Sequence, residues 1–74
     1  RMNKTQSTIL VGRKCQLIGK PYDVEGIVVS AESVDDGCAF WWVLKLTAVD
    51  DGLGDLEFDG SKHPDVEVVF PGLL

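Results

Sequence analysis

A chain of 74 residues with 45% apolar residues suits one small globular domain and is too apolar for a disordered segment. Its net charge of −5 disfavours binding to nucleic acid, because an acidic surface repels the phosphate backbone. No stretch approaches the roughly 20 apolar residues that a membrane-spanning helix needs, and no signal peptide is visible. We therefore expect a cytoplasmic protein that does not enter a membrane.

Polar residues open the chain, and runs that alternate apolar with polar residues follow them. Residues 1–8 predict a flexible leader, and residues 9–74 predict a single β-barrel domain. Alternation with period two, interrupted by Gly, Pro and Asp, indicates strands joined by turns rather than helices. Five strands are predicted, over residues 9–18, 24–32, 37–49, 56–59 and 66–70.

Glycine and aspartate mark the connections between these strands. Gly26 lies inside the second predicted strand, where it indicates a bulge or a sharp bend. Asp36-Gly37 is typical of a tight hairpin turn. Residues 50–55, which are rich in Gly and Asp, predict a looser turn, and residues 60–65 predict a loop.

The strand over residues 37–49 is the longest apolar run and holds both tryptophans. Its even positions are all apolar and predict a core face: Cys38, Phe40, Trp42, Leu44, Leu46 and Ala48. Its odd positions are mixed: Ala39, Trp41, Val43, Lys45, Thr47 and Val49. Trp41 and Val43 are therefore predicted on the face that should contact water.

This pattern of strands predicts an all-β fold, either a small five-stranded barrel or a strongly bent meander sheet. The order of a strand, a loop, a long bent hairpin, a short strand and a final strand resembles the SH3-like small barrel over residues 11–70. The resemblance implies an architecture and no particular function, because such barrels host many functions.

Two short segments are similar to the plasmid-borne dihydrofolate reductases that resist trimethoprim. Val11–Lys14 is like their opening strand, and Val69–Pro71 stands where that family carries Ile-Tyr-Pro. Those enzymes are SH3-like barrels with one active-site pore per tetramer, so the resemblance implies oligomerisation. Val68 stands in place of the pore glutamine and Phe70 in place of the tyrosine. Acids also dominate this chain, whereas that pore uses lysines. The resemblance therefore implies shared architecture rather than reductase activity.

The residues most often used in catalysis or metal binding suggest no such site here. Cys15 and Cys38 are predicted on buried faces as reduced thiols, with a disulfide between them as the alternative. His63 is predicted in a solvated loop. Residues 55–60 partly resemble a calcium loop, but Val66 stands where its bidentate Glu is required. We therefore predict no catalytic residue, metal or cofactor.

The leading hypothesis for function is a non-enzymatic module that binds another protein or a second copy of itself. An apolar patch on the outer face of the central strand carries this hypothesis, with Trp41, Val43 and Val69 as its predicted interface residues. The partner is not identified by the sequence.

Three alternatives stay open. One is an oligomeric small-molecule-binding protein or enzyme with its site at a subunit interface. Another is nucleic-acid binding through Arg13, Lys14 and Lys20. The third is that the leader or the tail Leu73-Leu74 buries Trp41, which would leave no exposed patch.

Overall fold

The computed structural model describes residues 2–50 and 52–73. Arg1 of the predicted leader, Asp51 of the second predicted turn and Leu74 of the predicted tail lie outside the described residues. The elements in chain order are strand β1 (Asn3–Gln6), a 3₁₀ turn (Thr8–Leu10), and strands β2 (Lys14–Ile18), β3 (Val24–Asp35), β4 (Phe40–Ala48), β5 (Asp55–Asp59) and β6 (Glu67–Val69). In this part of the chain, no helix is long and apolar enough to cross a membrane.

All six strands form one antiparallel sheet, in the order β5-β4-β3-β2-β6, with β1 paired to β3 beside this path. Strands β2 to β5 are a meander, and β6 returns to pair with β2. The two end strands, β5 and β6, do not pair with each other, so the sheet is not closed. The predicted all-β class and bent meander sheet are confirmed. The sheet has six strands rather than five.

A bulge in β3 produces the bend of the sheet. The first half of β3 pairs with β2 and its second half pairs with β1. Between these halves the register against β4 shifts at Val28/Ser30, and the extra residue, Val29, is 52% exposed. Because a bulge bends its strand and increases the local twist, the two halves face different neighbours. The sequence prediction placed this feature at Gly26, three residues too early.

Gly26 serves close packing instead. A Cβ atom at this position would lie 2.9 Å from the carbonyl oxygen of Thr47 and 3.0 Å from the Cβ of Leu46. Any side chain would therefore push β3 away from β4. The sequence correctly marks Gly26 as a special position. The reason is the close approach of the β3 and β4 backbones rather than a change of register.

The core is one cluster of buried side chains from β2, β3, β4 and β5, together with Leu10 and Val66. Its largest fully buried side chains are Phe58, Leu17, Leu44, Leu46, Val28 and Cys15. Leu44 and Leu46 belong to the even face of β4, as the period-two pattern predicts. The prediction of a core face is wrong at the first residue of β4, because Phe40 is 59% exposed.

The first thirteen residues differ most from the prediction. Asn3–Gln6, expected within a flexible leader, form β1 and pair with residues 32–35 of β3. All four side chains of β1 are exposed, so backbone hydrogen bonding rather than apolar burial holds this strand. The predicted strand from Ile9 is also wrong in its first half. Thr8–Leu10 form a 3₁₀ turn, and Gly12 with φ +86° turns the chain into β2.

The two cysteines have opposite environments. Cys15 is fully buried, as predicted, and burial raises the pKa of its thiol to about 11. Cys38 is exposed, which contradicts its predicted place in the core, and both thiols are free. The reason is that residue 38 lies in the turn before β4 begins, so the period-two alternation does not extend to it.

This contrast predicts selective alkylation. Iodoacetamide in mildly alkaline buffer should label the folded protein once, at Cys38, because the nucleophile is the thiolate and Cys15 is buried and protonated. Mass spectrometry should find a second label only after unfolding in urea. The variant Cys38→Ser should take no label while folded. Labelling of both thiols at similar rates in the folded protein would contradict the buried position of Cys15.

Candidate functional site: an aromatic cleft at the start of β4

Strand β5 ends opposite Val43 and does not reach the first residues of β4, because the chain turns away after Asp59. The Asp59 carboxylate accepts hydrogen bonds from the backbone N–H of Ser61 at 3.0 Å and from its hydroxyl at 2.7 Å. The N–H of Lys62 donates to the carbonyl oxygen of Asp59 at 3.0 Å. These bonds turn the chain away from the sheet. The last bond from this segment to β4 runs from the Gly60 N–H to the Trp42 carbonyl oxygen, at 2.8 Å.

Gly60 allows the turn to pass close to β4. A Cβ atom at this position would lie 3.0 Å from the Cβ of Trp41 and 3.1 Å from the carbonyl oxygen of Trp42. A larger residue would separate the loop from the strand. The two tryptophans and the loop are therefore held side by side by a residue without a side chain.

A cleft of about 440 Å³ opens beyond this turn, and we refer to it as the aromatic cleft. On the side of β4 it is lined by Phe40, Trp41 and Trp42. On the side of the loop and β6 it is lined mainly by Pro64, Val66 and Val68. Its size lies within the range of about 300–1,000 Å³ typical of ligand-binding clefts.

The aromatic side chains at the cleft are packed in a row. The rings of Phe40 and Trp42 meet edge to face with centroids 5.7 Å apart, and those of Trp42 and Phe70 with centroids 5.8 Å apart. Trp42 is thus anchored on both sides and is half-buried against the core. Phe40, at the end of the row, is 59% exposed.

The backbone of β4 is also open at this point. In an antiparallel ladder, successive residues turn their N–H and C=O groups alternately to the two neighbouring strands. Trp42 and Ala48 bond toward the β5 side, through the Gly60 N–H and the Gly54 carbonyl oxygen. Phe40 has the same parity, so its N–H and C=O groups face the cleft, beyond the end of β5. The cleft therefore offers one donor and one acceptor beside three aromatic side chains.

The structure separates the three predicted interface residues. Trp41 is half-buried on the outer face of β4, opposite Val34, which is only 2% exposed, and it lines the aromatic cleft. Val43 lies on the same face but lines a different, polar cleft. Val69 pairs with Gln16 on β2, so β6 is not a neighbour of β4. From β6 it is Val68 that lines the aromatic cleft.

Neither the predicted leader nor the predicted tail lines the cleft beside Trp41 in the described residues; the Gly60–Pro64 loop does. Sequence reasoning missed the exposure of Phe40 and the contribution of Pro64 and Val68. One signal was present, since Phe40 directly follows the predicted turn and therefore lies at a strand end.

His63 is placed differently from its prediction. It is half-buried rather than solvated, because its ring meets Tyr22 edge to face at 5.1 Å and stacks on Phe58 at 6.0 Å. It lines both the aromatic cleft and the polar cleft. The polar cleft has a volume of about 420 Å³, and its charged lining mixes Lys45 and Lys62 with three carboxylates: Glu32, Glu57 and Asp59.

Two carboxylates are hydrogen-bonded to residues that line the aromatic cleft, Ala39 and Ser61. Asp36 accepts hydrogen bonds from the N–H groups of Cys38 and Ala39, at 2.9 and 2.8 Å, and these bonds lower its pKa. The hydrogen bond from the Ser61 hydroxyl is the main cause that lowers the pKa of Asp59. Both groups therefore stay ionised at pH values below the ordinary range for Asp.

The segment that partly resembles a calcium loop is strand β5. Asp55 and Glu57 lie on its exposed face, and Asp55 accepts a hydrogen bond from the Thr47 hydroxyl at 3.2 Å. Within residues 2–50 and 52–73, no three His, Cys, Asp or Glu side chains are grouped as a metal site would require.

Comparison of the chain with protein families, with curated proteins and with solved structures finds no match. The likeness to SH3-like barrels stays a prediction.

Two aromatic substitutions should separate the structural part of the cleft from its exposed part. Trp42→Ala should lower the free energy of unfolding by about 2–4 kcal/mol, because Trp42 packs against Phe70 and the core. Phe40→Ala should lower it by less than about 1 kcal/mol, since Phe40 is mostly exposed. Urea unfolding followed by circular dichroism measures both values. Equal losses of stability would mean that Phe40 is part of the core.

Proposed function

We propose that this protein is a non-enzymatic interaction module that binds an extended segment of another protein in the aromatic cleft. The observation that carries the proposal is the coincidence of exposed aromatic surface with an unpaired strand edge at Phe40. The segment lies beside the first residues of β4, on the side where β5 no longer pairs beyond Gly60.

Exposed aromatic side chains supply the apolar part of the interaction. Tryptophan and other aromatics are enriched among the residues that carry binding energy in interfaces. Phe40 makes its ring contact with Trp42 yet leaves 59% of its surface exposed, although stability alone favours burial of such a ring. A partner side chain in the cleft removes this surface from water.

The backbone of β4 fixes the orientation of the bound segment. A segment that adds to a sheet edge gains main-chain hydrogen bonds, and the neighbouring pockets select its side chains. The free edge of β5 is a poorer site, because Tyr22 donates its hydroxyl to the Glu57 carbonyl oxygen at 3.2 Å and so covers part of this edge. Strand β6 has only three residues. The start of β4 has neither limitation, because Phe40 is mostly exposed.

A cytoplasmic location and an SH3-like architecture form part of the proposal. Two free thiols, one of them exposed, suit a reducing compartment. A meander whose last strand returns beside β2 supports the SH3-like resemblance. A small-molecule site at a subunit interface is the second candidate, and the polar cleft with Lys45 and His63 favours it.

Selection of peptides from a random display library on the immobilised protein tests the proposal. Trp41 and Trp42 are the two tryptophans of the chain and both line the cleft, so the intrinsic fluorescence reports binding of each selected peptide. Phe40→Ser should weaken binding at least about tenfold. Ile9→Ser is the matched control, because Ile9 is 76% exposed and does not line the cleft.

Two results would contradict the proposal. The first is selected peptides that bind the Phe40→Ser variant as tightly as the wild type. The second is a wild-type protein that light scattering sizes as an oligomer while Phe40→Ser and Trp41→Glu are monomers. That result would assign the cleft to a second copy of the chain.

A further inference from the structure

We infer that the segment bound in the aromatic cleft is basic, and that it presents a Lys or Arg side chain whose cationic group lies against the exposed ring of Phe40, beside the tryptophans that line the cleft. This inference rests on the proposed function, because it specifies the chemistry of the segment that the cleft receives. The aromatic lining and the distribution of charge around the cleft support it independently.

The rings suit a cation. A Lys ammonium or an Arg guanidinium is attracted to the negative face of an aromatic ring, and Trp binds it best. Both tryptophans of the chain line this one cleft together with Phe40. A purely apolar segment would also bury these rings, so the neighbouring charges decide between the two.

Three carboxylates are hydrogen-bonded to lining residues or adjacent to them in sequence, although no Asp or Glu is among the described residues that line the cleft. Asp36 accepts a hydrogen bond from the N–H of Ala39, which lines the cleft. Asp59 holds Ser61, another lining residue, through two hydrogen bonds. Asp65 is exposed in the chain between the lining residues Pro64 and Val66. The three side chains come from two separate turns, so the acidic surroundings do not arise from one local run.

Cations are placed elsewhere. Among the described residues that line the aromatic cleft, none is Lys or Arg. Lys62 stands between the lining residues Ser61 and His63, but it lines the polar cleft, as Asp59 does, and its charge acts on Asp59. Lys62 therefore offsets part of the charge of Asp59, and Asp36 and Asp65 supply most of the negative charge beside the aromatic cleft. The aromatic cleft thus combines aromatic residues with nearby negative charge, and complementary charge gives an interface its selectivity and its rate of association.

This charge persists over a wide pH range. The hydrogen bonds that hold Asp36 and Asp59 lower the pKa of each carboxylate. An acidic segment would be repelled from these groups, and nucleic acid would be repelled for the same reason. A basic segment gains from them even in mildly acidic solution.

The peptides selected from the display library test the inference through their composition. Each should carry Lys or Arg at one fixed position, and replacement of that Arg by its neutral analogue citrulline should weaken binding to the wild type at least about tenfold. Because a net charge of −5 attracts basic peptides everywhere on the surface, charge variants at two places are compared.

The double variant Asp36→Asn, Asp65→Asn removes charge near the cleft, and Asn at position 36 keeps the oxygen that accepts the Cys38 and Ala39 N–H groups. It should weaken binding about three- to tenfold and reduce the salt dependence. The control double variant Glu25→Gln, Asp55→Asn removes the same charge from residues that do not line the cleft, and it should bind like the wild type.

The two proposals fail in different ways. Selected peptides that depend on Phe40 but lack Lys and Arg, or that tolerate citrulline, would overturn the inference and leave the interaction module standing. Equal weakening by the two double variants would also overturn it, since the attraction would then be general. Peptides that do not depend on Phe40 would overturn the proposed function itself.

Discussion

The end of β5 at the Asp59-Gly60 turn is the constraint on which the candidate site depends. Because Asp59 holds Ser61 and Gly60 fits against Trp41, the chain leaves the sheet after one last bond to β4. Had β5 continued for three more residues, as far as Lys62, it would have covered the Phe40 edge. The cleft is therefore a consequence of where one strand stops rather than of a dedicated binding loop.

The rest of the sheet serves to bring the opposite side of the cleft into place. The bulge at Val29 bends β3, so that one half of this strand pairs with β2 and the other with β1. Strand β6 joins the sheet at β2, at the far end of the strand order from β5. Because the sheet is bent, Val68 and Phe70 of this distant segment still reach the aromatic residues of β4.

Period-two alternation predicts the direction of a side chain well and its burial less well. It places Leu44, Leu46 and Cys15 in the core, where they are found. It places Phe40 and Cys38 on the same face, yet both are exposed. The difference is that burial depends on how far the neighbouring elements extend, and a single strand's pattern contains no information about that distance.

Two other features were beyond prediction for related reasons. Strand β1 is polar and exposed, so it leaves no apolar pattern to detect, and only its backbone pairing with β3 defines it. His63 lies in a loop that sequence reasoning expected in water, but a loop that folds back on the sheet places its ring on Phe58. Contacts between residues far apart in sequence determine both features, and the local sequence pattern does not encode such contacts.

We propose that the backbone of Phe40 is an open edge that a bound segment occupies. Amide hydrogen exchange by NMR, on the free protein and with a selected peptide, measures this directly. An open edge predicts fast exchange at Phe40 in the free protein and slower exchange at Trp41, whose amide faces β3, and at Leu44, whose amide faces β5. It predicts at least about tenfold slower exchange at Phe40 in the complex. Protection of Phe40 in the free protein, or no change in the complex, would contradict it.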